Sequence, residues 1–127
     1  MDPFDRVAIV GVGLLGGSLA KVMRKLGLAK SLVGHGRNKA NLEEAKSLGI
    51  IDHVALDMQS AVRDADLIVL CSPVRTASQL IAKVAPQIKP GCLITDVGSV
   101  KEPLVREIEA LITKDVFFVG AHPIAGS

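Results

Sequence analysis

The sequence predicts an α/β fold: a doubly wound parallel sheet of about six strands in a single domain. Three observations predict it. Short apolar runs alternate with segments of helical periodicity along the whole chain. The fourth run, Leu67–Cys71, is apolar at every position, as suits a strand covered on both faces. Gly11-Val-Gly13-Leu-Leu-Gly16 stands where the first run gives way to the first helix. Alternating strands and helices imply βαβ units with right-handed crossovers, and hence parallel pairing.

Arg6–Val10 is the first strand, a short β-branched run. Leu14–Leu26 places Leu15, Leu19, Val22, Met23 and Leu26 at helical spacing, and Gly27 stops it. Ser31–Gly34 is a second strand. Asn38 offers an N-cap to a helix over Lys39–Leu48, closed by Gly49. Asp52–Leu56 is a weak third strand, and Ser60–Asp64 has room only for a short helix. Beyond the fourth strand, Arg75–Ala85 is helical, and Pro86 and Pro90-Gly91 mark a turn. Cys92–Thr95 is a fifth strand, Lys101–Ile112 a helix and Val116–Val119 a sixth strand. A strand order 3-2-1-4-5-6, the Rossmann type, is expected. No internal repeat, low-complexity tract or linker interrupts the pattern.

Composition narrows the function. The 127 residues suit one domain with a real core. Fifteen basic residues against thirteen acidic leave +2, with no basic stretch interleaved with aromatics. Trp and Tyr are absent, so a base-stacking surface is not expected and nucleic acid is not the expected partner. Met1-Asp-Pro-Phe-Asp-Arg6 lacks the basic and apolar regions of a signal peptide. No apolar stretch has the length of a bilayer span. The expectation is a cytoplasmic protein without a membrane partner. Cys71 and Cys92 fall at opposite ends of adjacent predicted strands, well over ~10 Å apart. A disulfide needs a Cα separation of about 6 Å, so both are read as reduced core residues.

Each glycine of the first loop has a task in a phosphate-binding turn. Gly11 permits the tight turn, Gly13 lets the backbone approach a pyrophosphate, and Gly16 lets helix and strand pack closely. With Leu14 and Leu15 they open a helix whose N-terminal N–H groups favour phosphate. Alone the spacing is weak; strand, loop and helix in that order supply its context. The plainer alternative is that the glycines serve packing only.

The end of the second strand selects among dinucleotides. NAD enzymes usually place a carboxylate there for the ribose 2′-hydroxyl. This chain reads Val33-Gly-His-Gly-Arg37-Asn-Lys39. Gly36 occupies roughly the acidic position, and Arg37, beside Asn38, can pair with a 2′-phosphate. NADP is therefore expected over NAD. The alternative leaves Arg37 and Lys39 as solvated charges in a first helical turn. His35 is read as an exposed bystander, with phosphate contact as its alternative.

Further along, Cys71-Ser-Pro-Val74 shapes a loop over the cofactor, or else Ser72 and Pro73 simply start the next helix. In Thr95-Asp-Val-Gly-Ser-Val-Lys101, Gly98 allows a sharp turn and Ser99 offers a hydroxyl. Ser99-Val-Lys-Glu102 also matches a capping box, although Pro103 would move the cap to Glu102. Asp96 fixes the loop, and Lys101 faces ligand charge or water. His122 sits just past the sixth strand in Gly120-Ala-His-Pro-Ile-Ala-Gly-Ser127. An imidazole there can move a proton near neutrality, or it is a histidine satisfied by backbone at a turn.

Together, Gly11-x-Gly-Leu-Leu-Gly-Gly-Ser-Leu19, Cys71–Val74, Thr95–Lys101 and Gly120–Ser127 resemble the prephenate/arogenate dehydrogenase family of tyrosine biosynthesis. The first motif is generic, and the last two, in this order and spacing, are specific. The resemblance implies NAD(P)-dependent oxidative decarboxylation of prephenate to 4-hydroxyphenylpyruvate, or of arogenate to tyrosine. By match to the motif, His122 would accept the ring-hydroxyl proton and Ser99 would help hold that hydroxyl. Gly36 departs from the acidic residue of NAD-dependent members. The family usually continues into a helical domain that contacts substrate and forms a homodimer. That domain is not in this sequence, so the isolated chain is expected to bind cofactor without turnover. The alternatives are an NADP(H)-binding module without catalysis and another dehydrogenase of this fold, such as a β-hydroxyacid dehydrogenase.

Overall fold

The computed structural model describes residues 3–11, 14–71, 79, 81–96 and 116–120. The strands are β1 (Phe4–Val10), β2 (Ala29–His35), β3 (His53–Val54), β4 (Leu67–Leu70), β5 (Leu93–Asp96) and β6 (Phe117–Gly120). The helices are α1 (Leu14–Lys25), α2 (Lys39–Ser47) and α3 (Met58–Val62). A helical stretch over 81–84 tightens into a 3-10 turn at Ala85–Gln87, with Pro86 at its start. All strand pairs are parallel, in the order β3-β2-β1-β4-β5-β6. The expected doubly wound topology is therefore the observed one.

The strands split their side chains between two cores. In β1, Val7 and Ile9 face a cluster with Ala20 and Met23 of α1 and Ala45 of α2. Ala8 and Val10 face the other side, with Met58 and Val62 of α3 and Ile81, Val84 and Ile88. β4 divides the same way, Leu67 and Val69 against Ile68 and Leu70. A central strand flanked by strands and covered on both faces must be apolar throughout, which is why these runs lack polar alternation.

Several boundaries moved, each for a local reason. β1 and β2 begin earlier than expected, because Phe4 pairs with Ala29 ahead of the expected first pair, Arg6 with Ser31. β3 shrinks to two residues that pair only with Val33 and Gly34. α3 starts at Met58, not Ser60: Asp57 caps it, its carboxylate accepting from the Ser60 N–H at 2.7 Å. Asn38 caps α2 as expected, its Oδ1 accepting from the Asn41 N–H at 3.1 Å. β5 and β6 each run one residue later than expected, to Asp96 and Gly120. The helix expected over Lys101–Ile112 lies outside the described residues.

The inward face of α1 also differs from the expected stripe. Met23 is buried and Leu19 half-buried, but Val22 is 49% and Leu26 63% exposed. The surface against β1 is made by Gly16, Ala20 and Met23 instead. Small residues let the helix come close to the sheet, so the contact stripe carries less hydrophobicity than its flank.

At the amino ends of the strands, Asp66 ties three elements together. Its carboxylate accepts from the Arg6 N–H at 3.0 Å and pairs with Lys89 at 2.5 Å. Asp52 does the same near β2: it accepts from the Leu32 N–H and from Arg24 of α1, both at 2.8 Å. No described helix is long and apolar enough to cross a membrane.

Candidate functional site

The strand register builds one edge. His35 pairs with Val10, Val10 with Leu70, Leu70 with Asp96, and Asp96 with Gly120. These five residues form a row across the carboxyl ends of β2, β1, β4, β5 and β6. In an open parallel sheet of this order, the strand order reverses between β1 and β4, and ligands bind in the crevice outside that point. Gly11, Gly36 and Cys71 each follow a row residue directly.

The glycine loop is built as its sequence requires. Gly11 has φ +90°, a conformation that costs a side-chain-bearing residue. Its N–H donates to the His35 carbonyl at 2.6 Å, so the loop starts tied to the end of β2. A Cβ on Gly16 would lie 2.8 Å from the Gly11 carbonyl oxygen and 3.3 Å from Cγ2 of Ile9. Gly16 therefore sets how near the start of α1 comes to β1. Both expected roles, tight turn and close packing, are present. Leu14 and Leu15 open α1, and Gly13 lies outside the described residues.

At the end of β2, Gly36 is half-buried while Arg37 and Asn38 are exposed. Among the described residues none pairs with the Arg37 guanidinium. His35 is not the exposed bystander expected of it. It is the last residue of β2, half-buried, with ring Nδ1 2.9 Å from the Ala55 carbonyl oxygen. That contact comes from the connection after β3, twenty positions away, and no local pattern in the sequence announces it.

The middle of the row holds Cys71 and Asp96. Asp96 is 1% exposed, the one buried charged or polar residue among those described. It ends β5 rather than beginning the loop. An ionisable residue closing an apolar run was the signal available in the sequence. Cys71 is half-buried at the end of β4 and its N–H donates to the Val10 carbonyl at 2.8 Å. Burial pushes its thiol up to about 11, and the nearby Asp96 charge adds to the shift. A thiol so held stays protonated at neutral pH, so Cys71 is not poised as a nucleophile. Cys92, at the opposite end of the sheet, is buried and also free. The expected reduced cysteines are what the structure contains.

Ser72, Pro73, Val74, Gly98, Ser99 and His122 lie outside the described residues. The structure places their anchors: Cys71, Asp96 and Gly120, in adjacent strands. Gly11 directly follows β1, and Gly36, Arg37 and Asn38 follow β2 on its other side. No group of His, Cys, Asp or Glu suited to a metal ion occurs among the described residues.

Comparison with known proteins bears directly on this edge. A profile of the family described as "Prephenate dehydrogenase, nucleotide-binding domain" matches residues 19–127. The cyclohexadienyl dehydrogenase of Zymomonas mobilis is 33% identical over 127 residues, all of this chain and 43% of that protein. Among solved structures, prephenate dehydrogenase from Aquifex aeolicus in complex with hydroxyphenyl propionate and NAD+ superposes with a TM-score of 0.84. It shares 37% identity over 97% of this chain and 43% of its own. Arogenate dehydrogenase from Synechocystis gives 0.81 at 30% identity, covering 93% of this chain and 40% of its own. The chain thus spans under half the length of these relatives. The generic glycine loop precedes the profile match, so the match rests on the rest of the chain, including the two specific motifs near its end. This chain belongs to the prephenate dehydrogenase family, as its nucleotide-binding domain.

Proposed function

We propose that this chain is the cofactor-binding and proton-accepting half of a prephenate or arogenate dehydrogenase, and that it takes NADP+ in preference to NAD+. The observation that carries the reading is the fit of the β1–α1 junction to a dinucleotide phosphate. Gly11 turns at φ +90°, and Gly16 leaves no room for a Cβ beside the Gly11 carbonyl. Backbone N–H groups at the start of α1 then lie where a pyrophosphate is met by helix-end partial charge. Solved relatives share the fold, and the Aquifex aeolicus protein was crystallised with NAD+.

A bound dinucleotide supplies the hydride acceptor. The chain's own residues orient and deprotonate. His122, two positions past the Gly120 end of the row, accepts the ring-hydroxyl proton as hydride leaves the same carbon. Ser99, three past Asp96, holds that hydroxyl in line. Loss of the ring carboxylate as carbon dioxide then aromatises the ring, and the phenolic oxygen regains a proton. A base with a pKa near ambient suits the first step. Ser72, Pro73 and Val74 wall the nicotinamide side after β4, with Gly98 giving the Ser99 loop its turn. At the adenosine end Gly36 presents no carboxylate to repel a 2′-phosphate, and Arg37 pairs with it. The partners are a small-molecule substrate and a second copy of the full-length protein, joined through its helical domain in the cytoplasm.

The test is His122→Asn in the full-length protein, with reduced cofactor followed by absorbance. The expected result is a kcat at least a hundredfold lower with cofactor Kd changed less than threefold. A kcat within threefold of wild type would remove His122 from the chemistry.

A further inference from the structure

We propose that His35 is a second 2′-phosphate contact, one that engages only when protonated, so that selection of NADP+ over NAD+ strengthens as pH falls. The proposal rests on the dinucleotide reading above and deepens it. Three structural facts carry it. The Ala55 carbonyl can only accept, so Nδ1, 2.9 Å away, must carry the ring proton. Neutral His35 therefore presents Nε2 as a bare lone pair. No described residue hydrogen-bonds that nitrogen. And the ring stands at the end of β2, next to Gly36, where dinucleotide folds read the adenosine ribose.

The chemistry follows from the fixed tautomer. A lone pair facing phosphate oxygens is repulsive, whereas protonation turns Nε2 into a charged donor. Among the described residues, the charged groups near the ring are on α3 and on the connection into α2. Asp57 at the start of α3 feels the His35 charge, although its carboxyl is held low mainly by the Ser60 hydrogen bonds. Arg37 and Lys39 follow on the connection into α2. The neighbouring ends of β1 and β3 contribute Val10, Gly11, Val54 and Ala55, none of them ionisable. Arg37 gives a constant attraction, and His35 adds a variable one.

The 2′-phosphate itself titrates near pH ~6, so wild type must be compared with a variant at each pH. His35→Asn keeps an N–H donor at the Nδ1 position for Ala55, has nothing at the Nε2 position and cannot titrate. Calorimetric Kd values for NADP+ and NAD+ are measured at pH 5.5 and 8.5 for both proteins. The ratio of variant to wild-type Kd for NADP+ is expected to be about tenfold larger at pH 5.5 than at 8.5. For NAD+ the ratio stays within twofold at both. Independently of any variant, NMR titration of the His35 ring should move to higher pH on saturation with NADP+ and not with NAD+. An NADP+ ratio equal at the two pH values, or an unmoved ring titration, overturns the role of His35 alone. Failure of both cofactors to bind wild type overturns the dinucleotide reading with it.

Discussion

Gly16→Ala and Gly17→Ala are neighbouring, chemically identical changes on α1 with opposite expected outcomes. At Gly17 an added Cβ meets nothing within 4 Å. The substitution should then show only the helix-propensity gain, about 0.5–1 kcal/mol of stabilisation. At Gly16 the same methyl lies 2.8 Å from the Gly11 carbonyl oxygen. That neighbour is backbone, so it cannot rotate away. To reach an ordinary contact distance the helix start or the loop must move by several tenths of an ångström. Overpacking of this kind costs about 1–3 kcal/mol, which offsets or exceeds the propensity gain and leaves Gly16→Ala about 0–2.5 kcal/mol less stable than wild type. The displaced atoms belong to the loop that faces the phosphates, so dinucleotide affinity should fall by about tenfold or more. Urea unfolding followed by circular dichroism measures the first effect and calorimetric titration the second. A Gly16→Ala protein as stable as Gly17→Ala, binding cofactor like wild type, would refute the close-approach argument.

Two further outcomes follow from groups elsewhere. Asp66 accepts from Arg6 and pairs with Lys89, and the Lys89 hydrogen bond is what chiefly holds its carboxyl below the usual value of 3.8. A lowered carboxylate stabilises the fold above its unfolded pKa and loses that contribution as pH falls through the folded value. Asp66→Asn should therefore cost about 1 kcal/mol at pH 7, with the gap to wild type closing below pH ~4 in urea-unfolding series; a gap independent of pH would contradict the pairing. For the cysteines, a Cys71 thiol raised from 9.0 to about 11 holds about a hundredth of the thiolate of an ordinary cysteine at pH 8. Alkylation followed by mass spectrometry should label Cys71 about a hundredfold more slowly in folded than in unfolded chain, and equal rates would contradict its burial beside Asp96.

The topology was legible because each strand is a short apolar run and each crossover carries helical spacing. Leu67–Leu70 and Val7–Val10 needed no tertiary knowledge to be read as buried strands. What sequence pattern missed depends on contacts made across distance. The α1 stripe was read through Val22 and Leu26 because hydrophobicity marks a face. The observed contact is made by Met23 of that stripe together with Gly16 and Ala20, whose small size lets the helix come close. The start of α3 was missed because Asp57 as a cap lies before the apolar residues that drew attention. His35 looked like a solvated strand end, since its partner Ala55 is twenty positions away. In the site, the turn at Gly11 and the close packing at Gly16 were legible because those backbone roles demand glycine. The burial of Asp96 was not, because a carboxylate at a strand end is ordinarily read as facing water.

The account's central claim is that the carboxyl edge of β1 and β2 binds a dinucleotide and that Arg37 selects the phosphorylated one. Calorimetric titration of NADP+ and NAD+ against wild type and Arg37→Ala at one ionic strength tests both halves. NADP+ should bind wild type more tightly than NAD+. Arg37→Ala should weaken NADP+ about tenfold, the loss of one exposed charge-assisted contact, and leave NAD+ within twofold. Equal NADP+ affinity in the two proteins, or no binding of either cofactor, would contradict it.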